Sequence, residues 1–153
     1  MTPVLVKIIA GFISTIGFAI IFRLKPVHWL LAAIDGLIAC IIYFSLVDVF
    51  ENVPLLPNLF AALACAFVAE IFARIAKTPS TVFLLPGIIC LVPGGSLYYS
   101  MSNIINENYI EAGHSLLLTV EVAIAIGGGI IAASILKTVI FKTYDAVKNK
   151  MKK

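Results

Sequence analysis

The stretch Leu85-Pro86-Gly87-Ile88-Ile89-Cys90-Leu91-Val92-Pro93-Gly94-Gly95-Ser96-Leu97-Tyr98-Tyr99 decides how this chain folds. It is apolar enough to lie in a bilayer, yet it holds two Pro-Gly steps seven residues apart. Each proline removes a backbone N–H and crowds the preceding turn, so each step predicts a bend in a helix. Backbone that leaves the helical pattern at membrane depth survives only where protein buries it or a wet cavity lines it. The stretch therefore predicts a helix broken inside a bundle of other helices. Broken helices in membrane bundles can turn half-helix N-termini toward anionic groups near the midplane. Pro86, Gly87, Pro93, Gly94, Gly95 and Tyr98 are accordingly the candidate substrate contacts, with a plain packing kink as the alternative.

The rest of the chain supplies that bundle. Of 153 residues, 61% are apolar and 12% charged, whereas a soluble domain is roughly half apolar and a quarter charged. A fold this small could not hide so much hydrocarbon from water. A water-soluble domain, a disordered chain, a disulfide scaffold and a nucleic-acid module are all excluded. A crossing takes about 20 apolar residues, and such runs lie at 3–22, 27–49, 57–76, 81–102 and 115–141. The expectation is an all-α, polytopic membrane bundle of five transmembrane helices with a broken fourth span, one integral membrane domain over residues 1–153. The first run has no basic residue ahead of it and no small-residue cleavage site behind it, and reads as a retained span. Asn103 to Ala112 reads as a short interfacial helix or a plain loop.

Basic residues orient such a bundle. With five spans, Arg23, Lys25, Arg74, Lys77, Lys137 and the tail from Lys142 to Lys153 share one side, ten of the eleven basic residues, and Lys7 alone lies opposite. Asp48, Glu51, Glu107 and Glu111 fall on the side of Lys7. The expected location is the cell membrane, multi-pass, with the N-terminus outside and the C-terminus cytoplasmic. The tail lysines serve as a topology signal or as a patch for anionic lipid.

Three carboxylates remain inside the membrane: Asp35, Glu70 and Glu121. Charge there is costly unless paired, protonated or hydrated, so all three are candidates for proton coupling. Glu70 lies one turn before Arg74, the spacing of a structural ion pair. Glu121 sits in the second turn of the fifth span. Asp35 has only Leu31, Ala32, Ile38 and Ala39 around it on its own helix, and is the strongest candidate for a group that takes up and releases a proton.

No constellation of an enzyme is present. His28 and His114 fall at opposite faces and cannot share a metal or a general-base role. Cys40, Cys65 and Cys90 sit in separate apolar runs and read as small buried hydrophobes. Neither a metal nor a cofactor is expected, and no catalytic residue is assigned. Small residues recur every fourth position at Ala61, Cys65, Ala69 and Ala73, and again at Ala125, Gly129 and Ala133. Such rows let helix backbones approach closely. Gly127-Gly128-Gly129 exceeds that need and suggests a hinge or a backbone-lined passage.

Pro79 after the basic turn, Pro86-Gly87-Ile88-Ile89, Leu91-Val92-Pro93-Gly94 and Tyr98 together resemble the threonine/serine exporter family in its split form, in which a small subunit matches the C-terminal half of the full-length exporter. The five-span size and the basic-residue placement fit along the whole chain. The resemblance implies a proton-driven secondary exporter of small amino acids or related carboxylates, an antiporter, working with a larger membrane subunit. An odd number of spans cannot divide into two equal inverted repeats, which independently makes such a partner plausible. A non-transporting membrane scaffold and a homo-oligomeric channel are the alternatives. The solute, whether threonine, serine or a dicarboxylate, is left open by the residues.

Overall fold

The structure, a computed structural model, describes residues 2–50 and 53–151. Glu51 of the expected outer loop and the side chains of the basic tail, Lys142 to Lys153, lie outside the described residues. The described chain folds into six α-helices: α1 (Thr2–Ile21), α2 (Trp29–Val47), α3 (Leu55–Ala76), α4 (Thr81–Ile88), α5 (Gly94–Ile105) and α6 (Tyr109–Met151). Short 3-10 turns at Pro26–His28 and Ile89–Leu91 precede α2 and follow α4. In lipid a spanning segment must satisfy its own backbone groups, which forces these apolar runs into helices. Four of the helices are long and apolar enough to cross a membrane, and α4 with α5 makes a fifth span bent by 52°. The all-α membrane bundle with a broken fourth span is thus what the chain forms.

The two Pro-Gly steps behave differently from one another. The sequence predicts a bend at each; α4 continues as a helix through Pro86 to Ile88. Pro86 stands in the second turn of α4, so its missing N–H costs one bond, to the carbonyl four residues back. The break gathers at the second step instead. After the 3-10 turn, Val92 is extended (φ −61°, ψ 127°) and Pro93 is non-helical (φ −77°, ψ 54°) before α5 begins.

Tertiary packing separates the halves of the broken span. α2 lies between α1 and α3, and α4 wedges against α2 and α3. α5 packs chiefly on α6. Glu107 takes a left-handed backbone (φ 61°), which lets the chain reverse within a few residues. α6 consequently starts at Tyr109, ahead of the apolar run that begins near Ser115, and Asn103 to Ala112 forms the tip of an α5–α6 hairpin. Two bonds tie that hairpin: the Ser100 hydroxyl donates to the Ala112 carbonyl at 3.1 Å, and the Thr119 hydroxyl donates to Ser96 Oγ at 3.0 Å. Tyr98, Tyr99 and Tyr109 stand exposed around it, as aromatic rings do at a membrane–water boundary.

At the opposite end, α1 and α3 stop at left-handed basic residues, Arg23 (φ 56°) and Lys77 (φ 52°). Cationic side chains there suit the negative end of a helix dipole. We call this the Lys77 end, and the end holding the α2–α3 connection the Pro54 end.

α3 and α6 run parallel, and the rows of small residues explain how close they come. Ala61, Cys65, Ala69, Ala73, Ala125 and Ala133 are buried, as is Gly129. A Cβ at Gly129 would lie 2.6 Å from the Leu59 carbonyl oxygen and 2.9 Å from the Leu63 nitrogen, both backbone atoms that cannot swing aside. Gly127 would meet nothing within 4 Å. The glycine run is therefore a packing device at Gly129, within an unbroken helix. Gly129→Ala is expected to destabilise the bundle by about 2 kcal/mol through overpacking, whereas Gly127→Ala is neutral or gains about 0.5–1 kcal/mol of helix propensity. Thermal unfolding of the two variants in detergent checks the contrast.

Candidate functional site

Asp35 is fully buried in the middle of α2. Its Oδ2 accepts a hydrogen bond from the Cys65 thiol of α3 at 3.4 Å. Its Oδ1 is shielded from solvent and has no hydrogen-bond partner among the described residues. The third wall is Gly87 of α4: a Cβ there would lie 2.5 Å from Asp35 Oδ2 and 3.1 Å from Cys65 Sγ. The first Pro-Gly step thus presents bare backbone to a carboxyl group, and glycine is required because any side chain would displace it. Asp35, which had no partner on its own helix, meets one across the bundle, and that partner is a weak donor carrying no charge.

The cysteines converge on this site from three helical segments, although each looked like an inert apolar residue in its own run. Cys90 Sγ donates to the carbonyls of Gly87 at 3.5 Å and Gly36 at 3.7 Å. Gly11 of α1 leaves room for Cys40, since a Cβ there would stand 2.5 Å from Cys40 Sγ. Thr15, fully buried, packs against Gly36 and donates its hydroxyl to the Gly11 carbonyl at 2.9 Å. No cluster among the described residues has a metal-holding arrangement. The result is a polar knot of weak donors around one carboxyl group. Nothing in the linear spacing signalled it, because Cys65, Gly87 and Cys90 reach Asp35 only through helix packing.

Cavities lie on either side of this knot. One, of about 270 Å³ at the Pro54 end, is lined by residues that include Tyr43, Asn58, Cys90, Pro93, Ser96 and Val122. Its lining carries no charged side chain. Asn58 is almost completely buried, and its amide nitrogen donates to the Pro54 carbonyl at 2.8 Å. Asn58, Tyr43 and Ser96 stand in three different helices, and only the helix packing groups them around one cavity. The other cavity, also about 270 Å³, lies toward the Lys77 end and reaches Pro86 through Phe22, Leu24, Thr81, Val82 and Leu85.

The remaining candidates are spread out. Pro93 lines the first cavity and Pro86 the second. Gly94 and Gly95 face open space, with nothing within 4 Å of an added Cβ. Tyr98 is 69% exposed and stacks edge-on with Tyr99 at 5.7 Å, away from the knot. Glu70 pairs with Arg74 at 3.5 Å as its spacing predicted, and more closely with Lys137 of α6 at 2.8 Å. Lys137, which reads in the sequence as a topology charge, therefore links α3 to α6. Glu121 is half-buried beside Val122 of the cavity wall and makes no ion pair among the described residues.

The tight fit of Gly87 on Asp35 is directly testable. Gly87→Ala is expected to lower stability through its clash with the carboxyl and thiol, and Asp35→Ala in the same chain is expected to relieve part of that loss. The coupling in a double-mutant cycle, read from unfolding midpoints, should fall in the range of about 0.5–3 kcal/mol seen for touching residues.

Comparison with known families completes the description. The family model for the threonine/serine exporter ThrE matches residues 7–136, most of the bundle. The chain belongs to that family, one of membrane transporters and not of enzymes. No curated protein and no solved structure matches it.

Proposed function

We propose that this member of the threonine/serine exporter family is the small membrane subunit of a proton-coupled secondary exporter of small amino acids or related carboxylates, and that it works with a larger membrane subunit. The observation that carries the reading is the Asp35 carboxyl, buried without a counter-charge against the bare backbone of a broken helix. In such surroundings an ionised carboxylate costs several kcal/mol. A change in its protonation therefore changes how well α4 packs on α2 and α3.

In the proposed cycle Asp35 takes up and releases the proton. With the carboxyl neutral, α4 closes on it through Gly87. With it ionised, the group demands water and the seal between the two cavities loosens. The short α4 segment is free to respond because the chain is broken at Val92-Pro93, so α5 need not follow. The two cavities flanking the seal supply the compartments an alternating-access carrier needs. The basic residues gathered at the Lys77 end support a cytoplasmic placement of that end, with the Pro54 end outside. Glu70, held by Lys137 and Arg74, serves to join α3 to α6, and the half-buried Glu121 serves as a second proton group.

Asp35→Asn keeps the shape of the side chain and removes its titration. We expect it to abolish the dependence of export on an imposed pH gradient, lowering gradient-driven efflux at least tenfold while the protein remains folded. Efflux measured at several external pH values checks this, and unchanged pH-dependent export overturns the proton role. Glu70→Gln is expected to lower thermal stability and leave the pH profile in place.

A further inference from the structure

We propose that the cavity at the Lys77 end, built by Arg23, Lys25, His28 and Thr78, is the site where the solute's carboxylate is first held before it reaches the broken span. The inference rests on the exporter reading and adds the place and chemistry of loading. The cavity has a volume of about 210 Å³, and Phe22, Leu24 and Val82 complete its lining.

Three observations converge there. The first is charge. Arg23 and Lys25 both line the cavity, and neither has an ion-pair partner among the described residues. Arg23 stands at φ 56°, a left-handed position that glycine would occupy without strain.

The second is a pair of unanswered polar atoms. His28 Nδ1 and the Thr78 hydroxyl oxygen are shielded from solvent, and neither has a hydrogen-bond partner among the described residues. Both residues line this same cavity. Shielded polar atoms in proteins are nearly always satisfied, and two orphans in one cavity match a ligand with polar groups of its own.

The third is continuity. The cavity shares Phe22, Leu24 and Val82 with the cavity that ends at Pro86. Pro86 adjoins Gly87, the residue sealed on Asp35. A small solute held at Arg23 is therefore one shared wall of side chains away from the cavity that reaches the α4 segment sealed on Asp35.

The chemistry of these groups selects an oxyanion. A guanidinium binds a carboxylate through two parallel N–H bonds, Lys25 adds a second cation and the Thr78 hydroxyl is a further donor. The cavity at the Pro54 end has hydroxyl and amide groups but no cation in its lining, so the pull on an anionic group is one-sided. The phosphate of an anionic lipid presents the same oxyanion chemistry, and the experiment separates the two sources.

The test uses two variants of different kind. Arg23→Gln removes one cation while nine other basic residues on the same side still orient the chain. Thr78→Val leaves every charge in place. Binding of L-threonine, L-threonine amide and succinate is measured on the purified chain in phosphatidylcholine nanodiscs, with and without phosphatidylglycerol. Transport of the same probes is measured in inside-out vesicles from the host. Both variants are expected to weaken binding of the carboxylate probes about tenfold and to raise KM by a similar factor, with the maximal rate unchanged. The amide is expected to bind poorly even to the parent chain, and Arg23→Lys is expected to recover part of the loss. Unaltered binding in both variants overturns the proposal. So does a dissociation constant that shifts only when phosphatidylglycerol is present, since the site then holds lipid. Probes that bind through Arg23 but are never transported leave the loading site standing and overturn the exporter reading instead.

Discussion

The contact between the Asp35 carboxyl, the Cys65 thiol and the bare backbone of Gly87 is the constraint on which the rest of the bundle depends. A carboxyl group sealed from water in a low-dielectric interior must find partners or lose several kcal/mol. Here it finds one weak donor at 3.4 Å. Every neighbouring feature follows from fitting that group. α4 must present glycine and α3 must present a small polarizable side chain. The cysteines gain a purpose in the same setting. A thiol is small enough for tight packing and still offers an S–H.

The broken span and the α3–α6 pair divide the mechanical work. α3 and α6 are held rigidly by backbone contact at Gly129 and by the Glu70–Lys137 ion pair. α4 rests between α2 and α3, whereas α5 is tied to α6 through Ser96, Ser100, Thr119 and Ala112. Because Val92 and Pro93 leave the helix, the two halves of this span belong to different packing units. A displacement of α4 therefore need not drag the hairpin with it. This separation gives a titrating carboxyl a movable element to act on, and it places a cavity on each side of that element.

Much of this was legible in the linear chain, and particular residues show why. Pro93 announced the break, because a proline without an N–H beside two glycines cannot sustain a helix. The rows at Ala61 and Ala125 announced helix contacts, and Asp35 stood out as a charge with no neighbour on its own helix. Pro86 leaves the helix unbroken, since a proline early in a short helix costs only one bond. The extension of α6 back to Tyr109 depends on Glu107, which adopts a left-handed backbone that its residue type does not advertise. Arg23 and Lys25 read as topology charges, and the cavity they share with His28 and Thr78 left no trace in the spacing.

What the sequence determined by itself was the class of protein and its local punctuation. Hydrocarbon content dictates a membrane bundle, apolar run length sets the number of spans, and proline chemistry sets where one span fails. All of these act through bonds and solvent along a few consecutive residues. Only the tertiary structure decided which side chains meet. Asp35, Cys65, Gly87 and Cys90 lie far apart in the chain, and so do Glu70 and Lys137. Helices bring them together through the depth and rotation at which small residues allow backbones to touch, and those are properties of pairs of helices, not of any one of them.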